Sequence, residues 1–506
     1  MRQAPKGKNI HGLQMKILLD TNIIIPLEDT SRTLDPLLAE MRVLLSQGGH
    51  VVYIHPAQFV DIEHDSNEDR KRIVRSRVEQ YLKIPSPPVL TESDLSQYGW
   101  KQNSENDKID NLLLHALCRG AAQFLITNDK ELHKKARQAN VQEQVHRLDQ
   151  FLAFLNSQIP DEKPPPYGVQ ERYLHEFNVG QDFFESLRAN YASFNQWYLK
   201  AAAEGRKAWC IATDDNIQAI CIYKVEEKPQ IVDGGSPLNG SALKLCTFKV
   251  GSTVRGRKLG ERLLYSAFRY AARHHLPYVY LHAFGEEQEM LISLCLEYGF
   301  QYAGQYEKRD SVYLKTMKGQ SAEQPDLDPL EYAVRYYPDY LDGSEVSKYI
   351  VPIRPQYHND LFADISDNSR GLFANDFSQY NSQSNTIKKA YLCHSKTNTL
   401  KRGDLLLFYR TQDRKSVECV GIVESTYRGT QFSEVMPRVS KRTVYSEKEI
   451  KDWLIKDTLV ILFRYLGSFL PVKIDLLEQA AVKGPIQSIR RITHEQYLQC
   501  FDRSTL

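Results

Sequence analysis

Three short apolar runs in the first 150 residues constrain the fold more than any other feature. They are KILLDTNIII at 16–25, VVYIH at 51–55 and FLIT at 124–127. Helical patterns at 70–82 and 110–119 separate them. Strands that alternate with helices predict a parallel sheet covered on both faces, an α/β unit. Two stretches read as linkers. Residues 156–169 carry Pro160 and the run Pro164, Pro165, Pro166, and residues 318–344 open on a polar segment before a tyrosine-rich packing helix. The predicted units are therefore 15–155, 170–317 and 345–504, an α/β multidomain chain without a repeat of 20–50 residues.

In the first unit the chemistry gathers where the strands stop. Asp20 ends the first apolar run, and Asp129 follows the third in LITND. Asp61 follows the second in HPAQFVD, with Glu63 and Asp65 nearby. Asp107 and Asp110 open a helix at i, i+3 spacing, which places them on one face. In an open α/β sheet the crevice beyond the carboxyl ends of the strands is where ligands bind. Carboxylates converging there repel one another unless a hard cation neutralises them, and oxygen-only ligation suits Mg²⁺ or Mn²⁺. Strand-end aspartates also serve simply as helix caps.

Taken in order, LLDTN, the acid after HPAQFV, DNLLLHAL and LITNDKELHKKA resemble the PIN-domain nucleases over about 130 residues. The resemblance implies a metal-dependent ribonuclease with Asp20, Asp61, Asp110 and Asp129 as catalytic metal carboxylates. It also implies that Thr21 and Asn22 orient Asp20 or the scissile phosphate, with Asp107 and Glu63 as alternative acids.

In the second unit the strand LKLCTFKV runs into a basic, glycine-bearing turn and then the amphipathic helix GERLLYSAFRYAARHH. Free backbone N–H groups at a helix start suit a pyrophosphate. The order of strand, VRGRKLGERLL, YVYLHAF, helix, LEYGF and SVYLK resembles the GNAT acyltransferases over about 110 residues. This implies an acetyl-CoA site at Arg255, Gly256, Arg257, Lys258, Leu259 and Gly260. Lys258 stands where the family signature has its first glycine. Cys295 stands where many members have a tyrosine that protonates the leaving thiolate, and the preceding strand lacks the acid often used as base.

The third unit, with LKRGDLLLFYR and SVECVGIVES as paired strands around TQDRK, resembles the PUA-like group of ASCH and EVE domains. That implies a small β-barrel that binds RNA, with Arg354, Tyr357, His394, Arg402, Tyr409 and Arg410 as candidate contacts. The overall charge of +2 averages unlike parts: residues 1–150 are neutral, residues 345–506 carry +6, and those between carry −4. The basic excess sits on the unit expected to meet a polyanion.

The eight cysteines form no Cys-x-x-Cys pair, so free thiols in a reducing cytoplasm are expected rather than a disulfide scaffold or zinc ribbon. No apolar run reaches the roughly 18 residues of a membrane span, and residues 1–14 lack the apolar core of a secretory signal. His55, His274 and His275 have no metal-like neighbours in sequence and are expected to be packing or surface residues. The sequence thus points to a cytoplasmic RNA-directed protein, a PIN-type ribonuclease with an acetyl-CoA-dependent N-acetyltransferase, and tRNA as the simplest RNA partner. The alternatives are an N-acetyltransferase of a protein or small molecule built on a degenerate PIN scaffold, and a non-catalytic RNA-binding CoA sensor.

Overall fold

The computed structural model describes residues 15–29, 34–47, 50–63, 67–79, 81–157, 168–213, 216–251, 258–284, 288–318, 327–362, 386–440, 442–445, 447–482 and 484–501. The chain forms two compact units. One joins residues 1–163 to 429–457, and the other joins 164–428 to 458–506.

The first unit is built on strands β1 (Lys16–Leu19), β2 (Val51–Ile54), β3 (Leu82–Lys83), β4 (Phe124–Ile126) and β5 (Val145–His146). They pair in the order β3-β2-β1-β4-β5, and every pairing is parallel. The apolar run at 16–25 is not one strand. It stops at Leu19 because Asp20 accepts from the Thr21 amide and caps the helix Thr21–Glu28. Leu18, Leu113, Leu125 and Leu132 fill the core on one face of this sheet. Strand order reverses between β1 and β4, so a crevice opens at the ends bearing Asp20 and Thr127.

Residues 429–457 were expected in the third unit and instead belong to the first. They contribute the short helices Phe432–Val439 and Glu447–Trp453. Val435, Met436, Val439 and Ile450 are all buried there. Helices of eight and seven residues are not stable alone in water and depend on such burial.

The second unit holds two sheets. The first comprises β6 (Gln170–Tyr173), β7 (Lys207–Thr213), β8 (Asn216–Glu226), β9 (Ala242–Val250), β10 (Tyr278–Ala283), β11 (Gln301–Tyr306) and β12 (Asp310–Thr316), in the order β11-β12-β10-β9-β8-β7-β6. Only β9 and β10 are parallel, joined through the helix Leu259–Arg273. Their pairing runs from Ala242 and Tyr278 to Leu245 and Leu281. β9 continues to Val250 paired with β8 alone, so the two parallel strands part beyond Leu245.

The second sheet comprises β13 (Lys348–Ile353), β14 (Lys388–Cys393), β15 (Leu405–Arg410), β16 (Ser416–Gly429), β17 (Thr458–Lys473) and β18 (Arg490–Ile492), in the order β14-β17-β16-β15-β13-β18. The hairpin expected around TQDRK is present as β15 and β16. The expected closed barrel is not shown: the order has two ends, and β13 pairs β15 in parallel. The units expected at 170–317 and 345–504 form one body, tied by charged groups. Glu261 accepts from the Ile387 and Lys388 amides, Lys388 pairs with Glu297, and buried Arg464 binds Glu424 and the Glu297 carbonyl.

Candidate functional site

At the crevice of the first unit, Asp20 is 4 % exposed and fully engaged. Its Oδ1 accepts from the Thr21 amide at 2.6 Å and from Thr21 Oγ1 at 3.2 Å. Its Oδ2 accepts from Asn22 Nδ2 at 2.7 Å and Thr127 Oγ1 at 2.6 Å. Thr21 Oγ1 also lies 2.9 Å from Asp61 Oδ2. Asp129 caps the helix Lys130–Gln138 through the Leu132 amide.

Asp110 lies 3.4 Å from the ammonium of Lys135, which holds Asp107 at 2.8 Å. Burial raises Asp20 to about 6, against the lowering effect of its hydrogen bonds, and Asp129 adds repulsion. Burial likewise raises Asp110 to about 7, opposed by Lys135 and reinforced by Asp20 and Asp129. The structure therefore brings Asp20, Asp110 and Asp129 within mutual repulsion and ties Asp61 to the same Thr21.

Two of the alternative acids are committed elsewhere, Asp107 to Lys135 and Glu63 to Arg75, while Asp65 lies outside the described residues. Among the described residues no three His, Cys, Asp or Glu side chains are grouped to hold a metal ion. The carboxylates as arranged do not fit Mg²⁺ or Mn²⁺, and their charge is met by Lys135 and hydrogen-bond donors. His55 is a packing residue: its Nδ1 accepts from Ala57, and burial lowers it to about 4.

In the second unit, Arg255, Gly256 and Arg257 lie outside the described residues. Lys258 caps the helix Leu259–Arg273 in a left-handed conformation, φ 57°. The first intrahelical bond of this turn runs from the Arg262 amide to the Lys258 carbonyl. The amides of Leu259 and Gly260 lie in the first turn of this helix, where an α-helix gives its N–H groups no intrahelical acceptor, a setting that suits a pyrophosphate. Gly260 packs closely, since a Cβ would sit 2.9 Å from Leu294 Cδ2 and force that side chain to shift.

Cys295 is 0 % exposed, and burial pushes its thiol far up, so the side chain is packed in the core. His274 and His275 are exposed.

The sequence reading missed a polar group on the other face of this sheet. Tyr280 donates to Glu226, and His282 packs on Tyr306 with ring centroids 4.6 Å apart. His282 Nε2 and Asp310 Oδ1 are buried without a hydrogen-bond partner. Burial and the charge of Lys244 lower His282 to about 4, so the ring is neutral. The signal was there: in YVYLH, Tyr278, Tyr280 and His282 alternate onto one face.

In the third sheet Arg410 is no free RNA contact, because it is bound to Asp413 and Asn359. Its Nη1 also donates toward His358 Nδ1, which leaves Nε2–H facing Cys419 Sγ at 3.6 Å. His358 therefore cannot take a proton from Cys419. Tyr409 is buried, Tyr357 is half-buried and Arg402 pairs with Asp328, which leaves Arg354 and His394 as exposed candidates.

No family profile and no curated protein matches the chain. Solved structures do resemble parts of it. The ASCH protein of Zymomonas mobilis is 16% identical and covers 30% of this chain and 92% of its own, with a TM-score of 0.23. The PaiA N-acetyltransferase of Thermoplasma acidophilum, in complex with coenzyme A, is 12% identical and covers 29% of this chain and 99% of its own, at 0.23. NAA60 of Arabidopsis thaliana, bound to a bisubstrate analogue, is 16% identical and covers 30% of this chain and all of its own, at 0.23. Among the described residues, no helix is long and apolar enough to cross a membrane.

Proposed function

We propose that the chain is an acetyl-CoA-dependent N-acetyltransferase that carries an ASCH-like RNA-recognition sheet. The observation behind this reading is the parted parallel pair β9 and β10, together with the helix start at Leu259 that follows β9 in the chain. When bound, acetyl-CoA supplies a thioester to an acceptor amine. The Leu259 and Gly260 amides and the Lys258 ammonium hold the pyrophosphate. The Cys246–Val250 stretch of β9, unpaired toward β10, offers its backbone to the pantetheine arm. Neutral His282, whose Nε2 is buried without a hydrogen-bond partner, would be the group to receive the proton of the acceptor amine. RNA meets the β13–β18 sheet of the second unit through exposed groups such as Arg354 and His394, and tRNA is the simplest RNA to try first. Calorimetry of the full chain with acetyl-CoA tests the reading, and no measurable heat would overturn it.

A second reading rests on the meeting of Asp20, Asp110 and Asp129 at the strand ends, and makes the first unit an RNA-cleaving one. Incubating RNA with Mn²⁺, with and without chelator, and comparing wild type with Asp20→Asn tests it. Cleavage by both proteins, or by neither, ends this reading.

A further inference from the structure

Residues 429–457 do more than fill space in the first unit. Arg442 is 2 % exposed and holds Glu143, Nη2 to Oε1 at 2.6 Å and Nε to Oε2 at 3.3 Å. Ser440 Oγ lies 3.4 Å from His146 Nε2. Both partners belong to the short segment that forms β5, the outermost strand of the first sheet.

From there a run of hydrogen bonds reaches the acid site. The His146 carbonyl accepts from the Thr127 amide at 2.9 Å, and Thr127 Oγ1 donates to Asp20 Oδ2 at 2.6 Å. On the same side the Leu148 amide donates to Asn128 Oδ1 at 3.4 Å, and the Asn128 amide donates to Asn22 at 3.2 Å. β5 is only two residues long and pairs β4 at two positions, so its own ladder fixes it weakly. A buried, charge-assisted contact at Glu143, just before the strand, and a hydroxyl facing His146 within it help to fix the register of such a strand.

We propose that the 429–457 arm is a positioning element for the acid site: Arg442 and Ser440 hold β5, β5 holds Thr127, and Thr127 holds Asp20. The acid cluster is then complete only in a chain that carries its C-terminal part. The consequence for RNA cleavage rests on the second reading above, whereas the positioning itself does not.

The test uses the full chain and amide hydrogen exchange. In Arg442→Ala, exchange of the Thr127 amide is expected to rise about tenfold or more while exchange across β2 stays at the wild-type rate. Arg442→Lys, which keeps the charge and loses the fork, is expected to fall between the two. Should Arg442→Ala fail to fold, Ser440→Ala removes the hydroxyl that faces His146 and donates to the Pro437 carbonyl, and is expected to raise Thr127 exchange about threefold. Unchanged exchange at Thr127 would overturn the proposal. So would a rise spread equally over β2, which would make the arm a general support. RNA cleavage is followed in parallel: a wild type that never cleaves removes the nuclease reading and leaves the exchange result to decide the positioning.

Discussion

Glu261 Oε1 accepts the backbone amides of both Ile387, at 2.8 Å, and Lys388, at 3.1 Å. A carboxylate 5 % exposed on the first turn after the candidate pyrophosphate turn therefore anchors the start of β14. Glu261→Ala would leave two amides without a charged acceptor. It is expected to cost the second unit about 3 kcal/mol, read from denaturant unfolding.

Gly260 packs where a Cβ would meet Leu294. Gly260→Val should push the helix start away from β9 and weaken acetyl-CoA binding about tenfold or more, since the amides must face the phosphates together. Calorimetry measures this, and an unchanged affinity would place the pyrophosphate elsewhere.

His282→Gln keeps a polar side chain on β10 but removes the imidazole. If His282 receives the amine proton, turnover should fall about 10²-fold with acetyl-CoA affinity unchanged. An equal loss in both would make His282 a packing residue.

His358 is buried in the third sheet and lowered to about 3 by burial and by Arg410 and Arg414. The unfolded chain binds a proton near pH 6.5, well before the folded one does. His358 therefore favours the fold above that pH, and this contribution is lost as the pH falls toward the folded value. Between pH 7 and 4.5 the second unit should lose about 2 to 3 kcal/mol on this account. Thermal unfolding of His358→Gln, set against wild type at the two pH values, should show a shallower slope.

The acids of the first unit were legible because their order along the chain follows strand ends, and a parallel sheet brings strand ends together. Their neutralisation was not, because Lys135 reaches Asp107 and Asp110 from a helix whose sequence, KELHKKARQ, reads as a solvated face. The strands of the second unit were legible from their apolar runs, and YVYLHAF covers β10 with one residue, Phe284, beyond its end. The burial of Cys295 was not legible, because family position locates a helix residue but not the direction its side chain takes. The 429–457 arm was invisible: amphipathic helices in sequence state that they need a partner, not which one.

That arm also sets an order of events during synthesis. The strands of the first sheet leave the ribosome early, yet the segment that completes the unit follows about 300 residues later, at translation rates of roughly 5–20 residues per second some 15 to 60 s afterwards. Through that interval Glu143 has no Arg442, and the apolar surface that the arm covers stays open to chaperones. A chain truncated before residue 429 would hold every acid of the candidate site and still lack the clasp that seats Asp20.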